Sequence, residues 1–265
     1  MINIREYKKA ATLEEAWELN QKRMNRVIGG MLWIKMTKGN VATAIDLSGL
    51  GLDTIEENAE EFKIGCMVTL RQLEEHTGLN TYSGGAVKEA MRHIVGVQFR
   101  NLATVGGSVY GRFGFSDVIS VLMVMDCYVE MYKGGIIPLA DFVQLPYDRD
   151  ILVNIIIKKK PAAFSYQTVR ISKTDFPVLT CAAAVTDEGV RIAVGARPAK
   201  AMLLRDEQHL VALPVTESGA KAFAEYAASV IPTGNTNRGS AAYRTHLIKV
   251  LAQRTVLEAG GKAGC

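Results

Sequence analysis

Two Gly-Gly pairs, each placed after an apolar stretch, constrain the fold of this chain more than any other feature of its sequence. Gly29-Gly30 follows Val27-Ile28, and Gly106-Gly107 follows a stretch that ends at Val105. Glycine permits the positive φ of a tight turn after a strand. Consecutive bare N–H groups can instead form a concave phosphate site, so both interpretations stay open for either pair taken alone. Two such turns in one chain favour a pyrophosphate, because its oxygens can reach two loops.

The residues around the two pairs exclude the best-known phosphate motifs. Neither pair fits GxGxxG or GxxxxGK[ST], so the sequence does not support a Rossmann or P-loop site. The second pair has hydroxyl donors beside it, from Thr104 and Ser108. We call residues 29–33 the first glycine loop and residues 104–108 the second glycine loop.

Composition narrows the class of protein. The 265 residues suit two domains, and 48% hydrophobic with 22% charged residues is typical of a soluble globular chain. A net charge of +4 without clustered Lys and Arg argues against nucleic-acid binding. No apolar run approaches the ~20 residues of a membrane helix, and the N-terminus lacks the apolar core of a signal peptide. We therefore expect a cytoplasmic protein that binds neither nucleic acid nor membrane.

Titratable residues offer no catalytic or metal site. Cys66, Cys127, Cys181 and Cys265 form no CxxC pair, so the sequence encodes neither a zinc site nor an iron–sulfur cluster locally. Scattered single cysteines are typical of buried thiols in a reducing compartment. The four histidines lack metal spacing, and no GxSxG or HExxH motif occurs. Asp117 has two interpretations: a carboxylate that stabilises the start of a helix, or an acceptor for hydroxyls of a sugar or ribityl chain.

Hydrophobic patterning predicts an α+β fold. The first fifty-odd residues indicate a β-α-β-β order, with Thr12 and Glu15 as a helix capping box. A long helix is expected over 85–95, a turn at Gly106-Gly107, a helix over 116–125, and strands over 128–132 and 151–157. After Pro161, strands over 164–171, 178–185 and 190–194 precede helices over 216–230 and 240–257. Strands followed by helices predict an antiparallel sheet with helices on one face.

The order and spacing of these segments resemble the FAD-binding subunit of the xanthine dehydrogenase and carbon monoxide dehydrogenase family, over essentially the whole chain. The most specific match runs from Gln98 to Ser108 and is close to Gln-Ile-Arg-Asn-x-Ala-Thr-Ile-Gly-Gly-Asn. The other matching segments are Thr12–Ala16, Arg26–Gly30, Lys63–Leu70, Ser116-Asp117 and Asn237–Arg244. In isolation, the last of these segments indicates only a capped helix start with exposed arginines.

The resemblance implies a two-lobed, PCMH-type FAD-binding domain at 1–158, with lobes of about 1–56 and 57–158, and a C-terminal α+β domain at 159–265. It also implies FAD as the cofactor, a molybdopterin-binding partner that oxidises the substrate, a 2Fe-2S partner that delivers electrons, and NAD or another acceptor. The protein itself would bind and tune the flavin. The implied cofactor-binding residues are Arg26, Val27, Ile28, Gly29, Gly30, Met31, Leu32, Trp33, Thr104, Val105, Gly106, Gly107, Ser108, Asp117, Leu152 and Lys173.

Two departures from the family pattern leave alternatives. Met31-Leu32 stands where the family usually has Thr-Asp, which removes two polar side chains from the first glycine loop. Tyr166-Gln167-Thr168 stands where the family often has a lysine near the flavin, with Arg170 or Lys173 as substitutes. The alternative function is therefore a flavin-free structural or assembly subunit of the same complex. A free-standing FAD oxidase is a third possibility, which the lack of a substrate base disfavours.

Overall fold

The computed structural model describes residues 2–263, so Cys265 lies outside the described residues. The strands are β1 (Ile2–Lys9), β2 (Arg26–Ile28), β3 (Gly39–Asp46), β4 (Ile55–Glu57), β5 (Glu61–Gly65), β6 (Asp126–Met131), β7 (Gly135–Pro138), β8 (Leu152–Lys158), β9 (Ala162–Arg170), β10 (Pro177–Thr186), β11 (Gly189–Gly195) and β12 (Met202–Arg205). The helices are α1 (Leu13–Asn20), α2 (Leu70–Glu75), α3 (Thr77–Tyr82), α4 (Ala86–Met91), α5 (Val97–Arg100), α6 (Val105–Tyr110), α7 (Asp117–Met123), α8 (Leu139–Gln144), α9 (Glu217–Val230) and α10 (Ala241–Ala263).

The first lobe is a three-stranded parallel sheet in the order β1-β3-β2, as its β-α-β-β pattern suggested. Thr12 begins α1 by accepting a hydrogen bond from the Glu15 N–H at 3.1 Å. Strand β2 ends at Ile28, so the first glycine loop leaves the carboxyl end of an edge strand. In sheets with parallel strands this is the end where ligands usually bind.

The second lobe is a five-stranded sheet in the order β4-β5-β8-β6-β7, covered by short helices. Two predictions for these helices were wrong. The helix expected over 85–95 ends at Met91, and Val95 has a φ of +51° that no α-helix accommodates. The turn expected at Gly106-Gly107 is the first turn of α6, which Thr104 caps by accepting from the Gly107 N–H.

The C-terminal part is a four-stranded antiparallel sheet in the order β12-β11-β10-β9. Strand β10 alternates between two cores. Cys181 and Ala183 face α9 and α10, whereas Ala182 and Ala184 join the core of the lobes. The predicted α+β architecture is confirmed, and the short edge strand β12 is an addition that the sequence pattern did not reveal. Within residues 2–263, no helix is long and apolar enough to span a membrane.

Arg244 corrects the expectation of exposed arginines at the start of α10. Its side chain is fully buried, and burial lowers the pKa of its guanidinium. It donates to the Val178 carbonyl at 3.0 Å, to the Gly234 and Gly239 carbonyls, and to the Thr236 hydroxyl at 2.7 Å. Arg244 therefore ties the 234–239 loop to β10. In contrast, Arg238 and Tyr243 remain partly exposed.

Arg100, from the segment that matches the family best, is also structural. It is buried and donates from Nε to Glu74 Oε2 at 2.8 Å, which joins α5 to α2. Burial raises the pKa of the Glu74 carboxyl, but hydrogen bonds from Arg100 and Arg71 outweigh it, so the net pKa lies below its usual value of 4.5.

A lowered carboxyl pKa in the folded state stabilises the protein above the unfolded pKa, and this contribution is lost as pH falls below it. We expect the free energy of unfolding of Glu74→Gln to depend less on pH than that of the parent as the pH falls below the usual carboxyl pKa of 4.5. Denaturant titrations at a series of pH values measure the difference. Glu75→Gln is the matched control, since Glu75 also pairs with Arg71 but is largely exposed. Equal pH profiles for the Glu74 variant and the parent would contradict this role.

Candidate functional site

One large cavity, of about 630 Å³, lies where the two lobes meet the C-terminal part. Its volume falls within the range of about 300–1,000 Å³ that is usual for ligand and cofactor sites. Its walls come from the first glycine loop, from the segment around the second glycine loop and α7, from residues 147–152 before and at the start of β8, and from the end of β9 with residues 174–176. Every part of the fold therefore contributes to it.

The glycines of the first loop are required by close contact. A Cβ on Gly30 would lie 1.7 Å from the Leu102 carbonyl oxygen, and one on Gly29 would lie 2.5 Å from Thr104 Oγ1. Gly106 is similar, because its Cβ would lie 2.5 Å from the Cys66 carbonyl oxygen. None of these three residues has a positive φ. The interpretation of the pairs as positive-φ turns was thus wrong, and close backbone packing is what excludes a side chain.

The two glycine loops differ in the hydrogen bonds of their N–H groups. Gly106 donates to the Cys66 carbonyl at 2.9 Å and Gly107 to Thr104 Oγ1 at 3.1 Å. The N–H groups of both glycines in the second loop are therefore already bonded to other protein atoms. Within the described residues, the amides from Gly29 to Leu32 donate no hydrogen bond. Met31 has a φ of +59°, the left-handed conformation that recurs in anion-binding nests. The first glycine loop therefore has backbone N–H groups that are available to bind a ligand.

Asp117 lies at the wall of the cavity and is 5% exposed. Its Oδ1 accepts from both the Arg170 guanidinium and the Tyr166 hydroxyl, while Oδ2 accepts from no side chain of residues 2–263. Burial raises the pKa of the Asp117 carboxyl, and Arg170 and Tyr166 oppose this by stabilising the charged form. Burial and Asp117 raise the pKa of Tyr166 far above its usual value, so this hydroxyl remains a neutral donor.

Arg170 supplies the positive charge that pairs with Asp117 at the wall of the cavity. Its guanidinium also donates to the Asp175 carbonyl, and its buried Nε has no partner in the described part of the chain. Lys173, the other substitute considered for the family lysine, is exposed and does not line the cavity. Tyr166 itself lies behind Asp117, outside the lining.

The structure gathers most of the predicted cofactor residues at this cavity. Val105 is fully buried and, like Lys173, does not line it. The predicted residues that do are Arg26, Val27, Ile28, Gly29, Gly30, Met31, Leu32, Trp33, Thr104, Gly106, Gly107, Ser108, Asp117 and Leu152.

Sequence reasoning missed part of the lining. Three phenylalanines, Phe113, Phe115 and Phe176, surround the predicted Trp33, and the polar segment 147–150 forms another wall. The Phe113-Gly114-Phe115 alternation directly before Ser116 was the available signal. Cys66 also lines the cavity, with its thiol pKa raised by burial to about 12, and Cys66, Cys127 and Cys181 are all free thiols.

Fold and cavity together define a cofactor-binding protein: two lobes and a C-terminal α+β part enclose a cavity of about 630 Å³, which is lined by amide donors without a partner among the described residues. Residues 2–159 match the family model described as the FAD binding domain in molybdopterin dehydrogenase. Residues 164–259 match the CO dehydrogenase flavoprotein C-terminal domain. The chain therefore belongs to the family of FAD-binding subunits of molybdopterin dehydrogenases, and its cofactor is FAD, as the sequence predicted.

Relatives cover nearly the full length. The chain is 27% identical over 255 residues to YgfM of Escherichia coli (strain K12), covering 94% of this chain and 93% of that protein. It is 25% identical to the nicotine 6-hydroxylase medium subunit of Paenarthrobacter nicotinovorans, with 97% of each chain covered.

Solved structures show the same fold. Quinoline 2-oxidoreductase from Pseudomonas putida 86 and carbon monoxide dehydrogenase from Hydrogenophaga pseudoflava each superpose with a TM-score of 0.84, at 20% identity and 97% coverage of both chains.

Proposed function

We propose that this chain holds FAD in the cavity and relays electrons from the iron–sulfur clusters of a partner subunit to NAD or another acceptor. A molybdopterin-binding partner would oxidise the organic substrate. FAD, when bound, supplies the two-electron and one-electron chemistry that such a relay needs. The chain would act in the cytoplasm, with residues 1–158 as the FAD-binding domain and 159–265 as the C-terminal domain.

The observation that carries this proposal is the row of unpaired amides in the first glycine loop. Backbone N–H groups at a left-handed turn bind phosphate oxygens, and the loss of the family's Thr-Asp side chains at Met31-Leu32 leaves these donors intact. The Thr104 hydroxyl oxygen accepts from Gly107, and its proton is available to a second acceptor. These residues would bind the pyrophosphate.

Asp117 would bind the ribityl chain. Arg170 and Tyr166 fix Oδ1, so Oδ2 is the acceptor left for a hydroxyl of the cofactor. Arg170 would hold a positive charge beside the cofactor through its unpartnered Nε. The chain's residues thus bind, orient and electrostatically tune the flavin, and the donors and acceptors described here suit FAD.

A ligand series tests the binding part of this proposal. We expect the chain to purify with bound FAD and a flavin spectrum. Once the flavin has been removed, the apo-chain should bind FAD at least about 10-fold more tightly than FMN, because FMN lacks the pyrophosphate and one strong charge-assisted contact accounts for that factor. Calorimetric titration with FAD, FMN and ADP gives the affinities. A colourless chain that takes up no FAD would refute the proposal and favour the flavin-free assembly subunit.

The relay is tested separately in the complex. The chain is co-expressed with its iron–sulfur and molybdopterin partners, and the anaerobic complex is reduced with dithionite. We expect addition of NAD to restore the absorbance of oxidised flavin. Reoxidation by other carriers but not by NAD would exclude NAD as the acceptor, and a chain that purifies without any partner would argue against the relay itself.

A further inference from the structure

A smaller cavity, of about 350 Å³, lies at one end of the C-terminal sheet, where β10 turns into β11 and where β12 ends. Its lining includes Gly189 from the turn, Arg191 from β11, and Arg205 and His209 from the end of β12 and the loop after it. Among residues 2–263, it shares no lining residue with the cavity of about 630 Å³. We call it the second cavity, and the proposed function makes no use of it.

Two arginines lie side by side in the lining of the second cavity. Arg191 on β11 pairs in register with Arg205 on β12, so both side chains lie on the same face of the sheet. Residues directly opposite each other in antiparallel strands have neighbouring side chains, and like charges at such positions are destabilising. Arg191 is half-buried and its Nε donates to the Val124 carbonyl at 2.7 Å, whereas Arg205 is exposed.

The described part of the chain gives these two arginines no counterion. Within residues 2–263, neither guanidinium forms an ion pair or a hydrogen bond, apart from the bond of Arg191 Nε. Burial lowers the pKa of the Arg191 guanidinium, and the charge of Arg205 lowers it further. Both nevertheless keep their protons, because an arginine is not deprotonated in proteins. The terminal N–H groups of the two side chains are therefore available to an anion.

The acidic residues nearby do not neutralise the pair. Asp206 accepts from two N–H groups of the loop after β12, at 3.0 and 2.8 Å. Asp126 is paired with Lys160 at 3.0 Å. Glu188 and Glu207 line the second cavity, but both are exposed, and neither forms an ion pair within the described residues. The second cavity therefore holds two positive charges without a bound carboxylate.

We propose that the second cavity binds a phosphate group between Arg191 and Arg205. A guanidinium presents a planar fork of N–H donors that matches the oxygens of a phosphate, often through two parallel hydrogen bonds. A phosphate carries close to two negative charges near neutral pH, which balances two arginines. The volume of about 350 Å³ falls within the range of about 300–1,000 Å³ for small-molecule sites, so it accommodates an organic phosphate as well as the free ion.

The test is a titration of the FAD-loaded protein with inorganic phosphate, followed by phosphorus NMR, since bound FAD occupies the first glycine loop. We expect saturable binding with a Kd of about 1 mM, from charge-assisted hydrogen bonds of two arginines. Arg205→Gln should weaken this binding at least about 10-fold. Arg191→Lys keeps the charge but loses the fork, and should bind several-fold more weakly than the parent. Arg254→Gln is the matched control and should bind like the parent, because Arg254 is exposed on α10 and lines neither cavity.

Further ligands identify the source of the phosphate. Tighter binding of glycerol phosphate than of inorganic phosphate would assign the site to an organic phosphate, and equal or weaker binding would assign it to the free ion. Preference for succinate over both, or equal phosphate binding by the parent and Arg205→Gln, overturns the proposal. Binding that is lost in the complex with the partner subunits would assign the arginines to an acidic side chain of a partner and also overturn it. A chain without FAD refutes only the proposed function, since the Arg205 variant still reports on the second cavity.

Discussion

Substitution of Gly30 by alanine is expected to abolish FAD binding, with at least a 100-fold loss of affinity. The new Cβ would lie 1.7 Å from the Leu102 carbonyl oxygen and 2.4 Å from its carbon, both of which are backbone atoms. Backbone cannot turn aside as a flexible side chain can, so the first glycine loop must move away from residues 102–104. The unpaired amides move with it. Overpacking of this kind also costs about 1–3 kcal/mol or more of unfolding free energy.

Calorimetric titration with FAD and denaturant unfolding measure the two effects. Gly261→Ala is the control, since a Cβ there meets no atom within 4 Å among the described residues outside its own helix backbone, and the residue lies in α10, where alanine is favoured. We expect it to bind FAD like the parent. Wild-type affinity in Gly30→Ala would show that the first glycine loop does not bind the cofactor.

Replacement of Asp117 by alanine is expected to destabilise the protein by about 3–5 kcal/mol. The change leaves the Arg170 guanidinium buried without its carboxylate and leaves the Tyr166 hydroxyl without an acceptor. Removing one partner of a buried ion pair lowers the unfolding free energy by more than the intact pair contributes to it, because the remaining charge stays buried without a partner. FAD affinity should fall as well, since Oδ2 is lost.

Asp141→Ala distinguishes this role from a simple helix-start effect. Asp141 occupies the first turn of α8, as Asp117 does in α7, but it is exposed and forms no ion pair within the described residues. A carboxylate that only complements a helix dipole contributes about 0.3–1 kcal/mol. In denaturant titrations, the loss of unfolding free energy in Asp117→Ala should therefore be several-fold larger than that in Asp141→Ala. If both variants lost similarly small amounts of unfolding free energy, Asp117 would only stabilise the start of its helix.

Local features were predictable from the sequence because their partners lie a few residues away. Thr12 caps α1 by accepting from the Glu15 N–H, which is half of the predicted capping box, whereas the Glu15 carboxylate accepts from the Ala11 N–H in place of that of Thr12. Thr69 and Gln72 form a complete capping box at the start of α2. Resemblance of the motifs then identified the family. Local patterns could not predict which amides of the glycine loops already form hydrogen bonds. The Gly106 N–H, for example, donates to the carbonyl of Cys66, forty residues earlier in the chain.

Long-range packing also gives some motif residues a structural role that the sequence did not predict. Arg100 and Arg244 come from the two most distinctive segments, yet both are buried and hold loops in place. Asp117 meets Tyr166 and Arg170 only when β9 docks on the lobes. The group of Trp33, Phe113, Phe115 and Phe176 at the cavity has no linear signature, because its members are spread between residues 33 and 176. Periodicity reports which face of an element is apolar, but not which distant segment covers it.

Because the cavity walls come from both lobes and the C-terminal part, a ligand that fills them joins segments that are otherwise far apart in the chain. Such a ligand stabilises only the folded form, by about 2.7 kcal/mol at a free concentration 100 times its Kd. A change of that size alters the unfolded fraction, and hence exposure to proteases, about 100-fold. At a given rate of synthesis, the steady-state amount of this subunit in a cell should therefore rise with the concentration of free FAD.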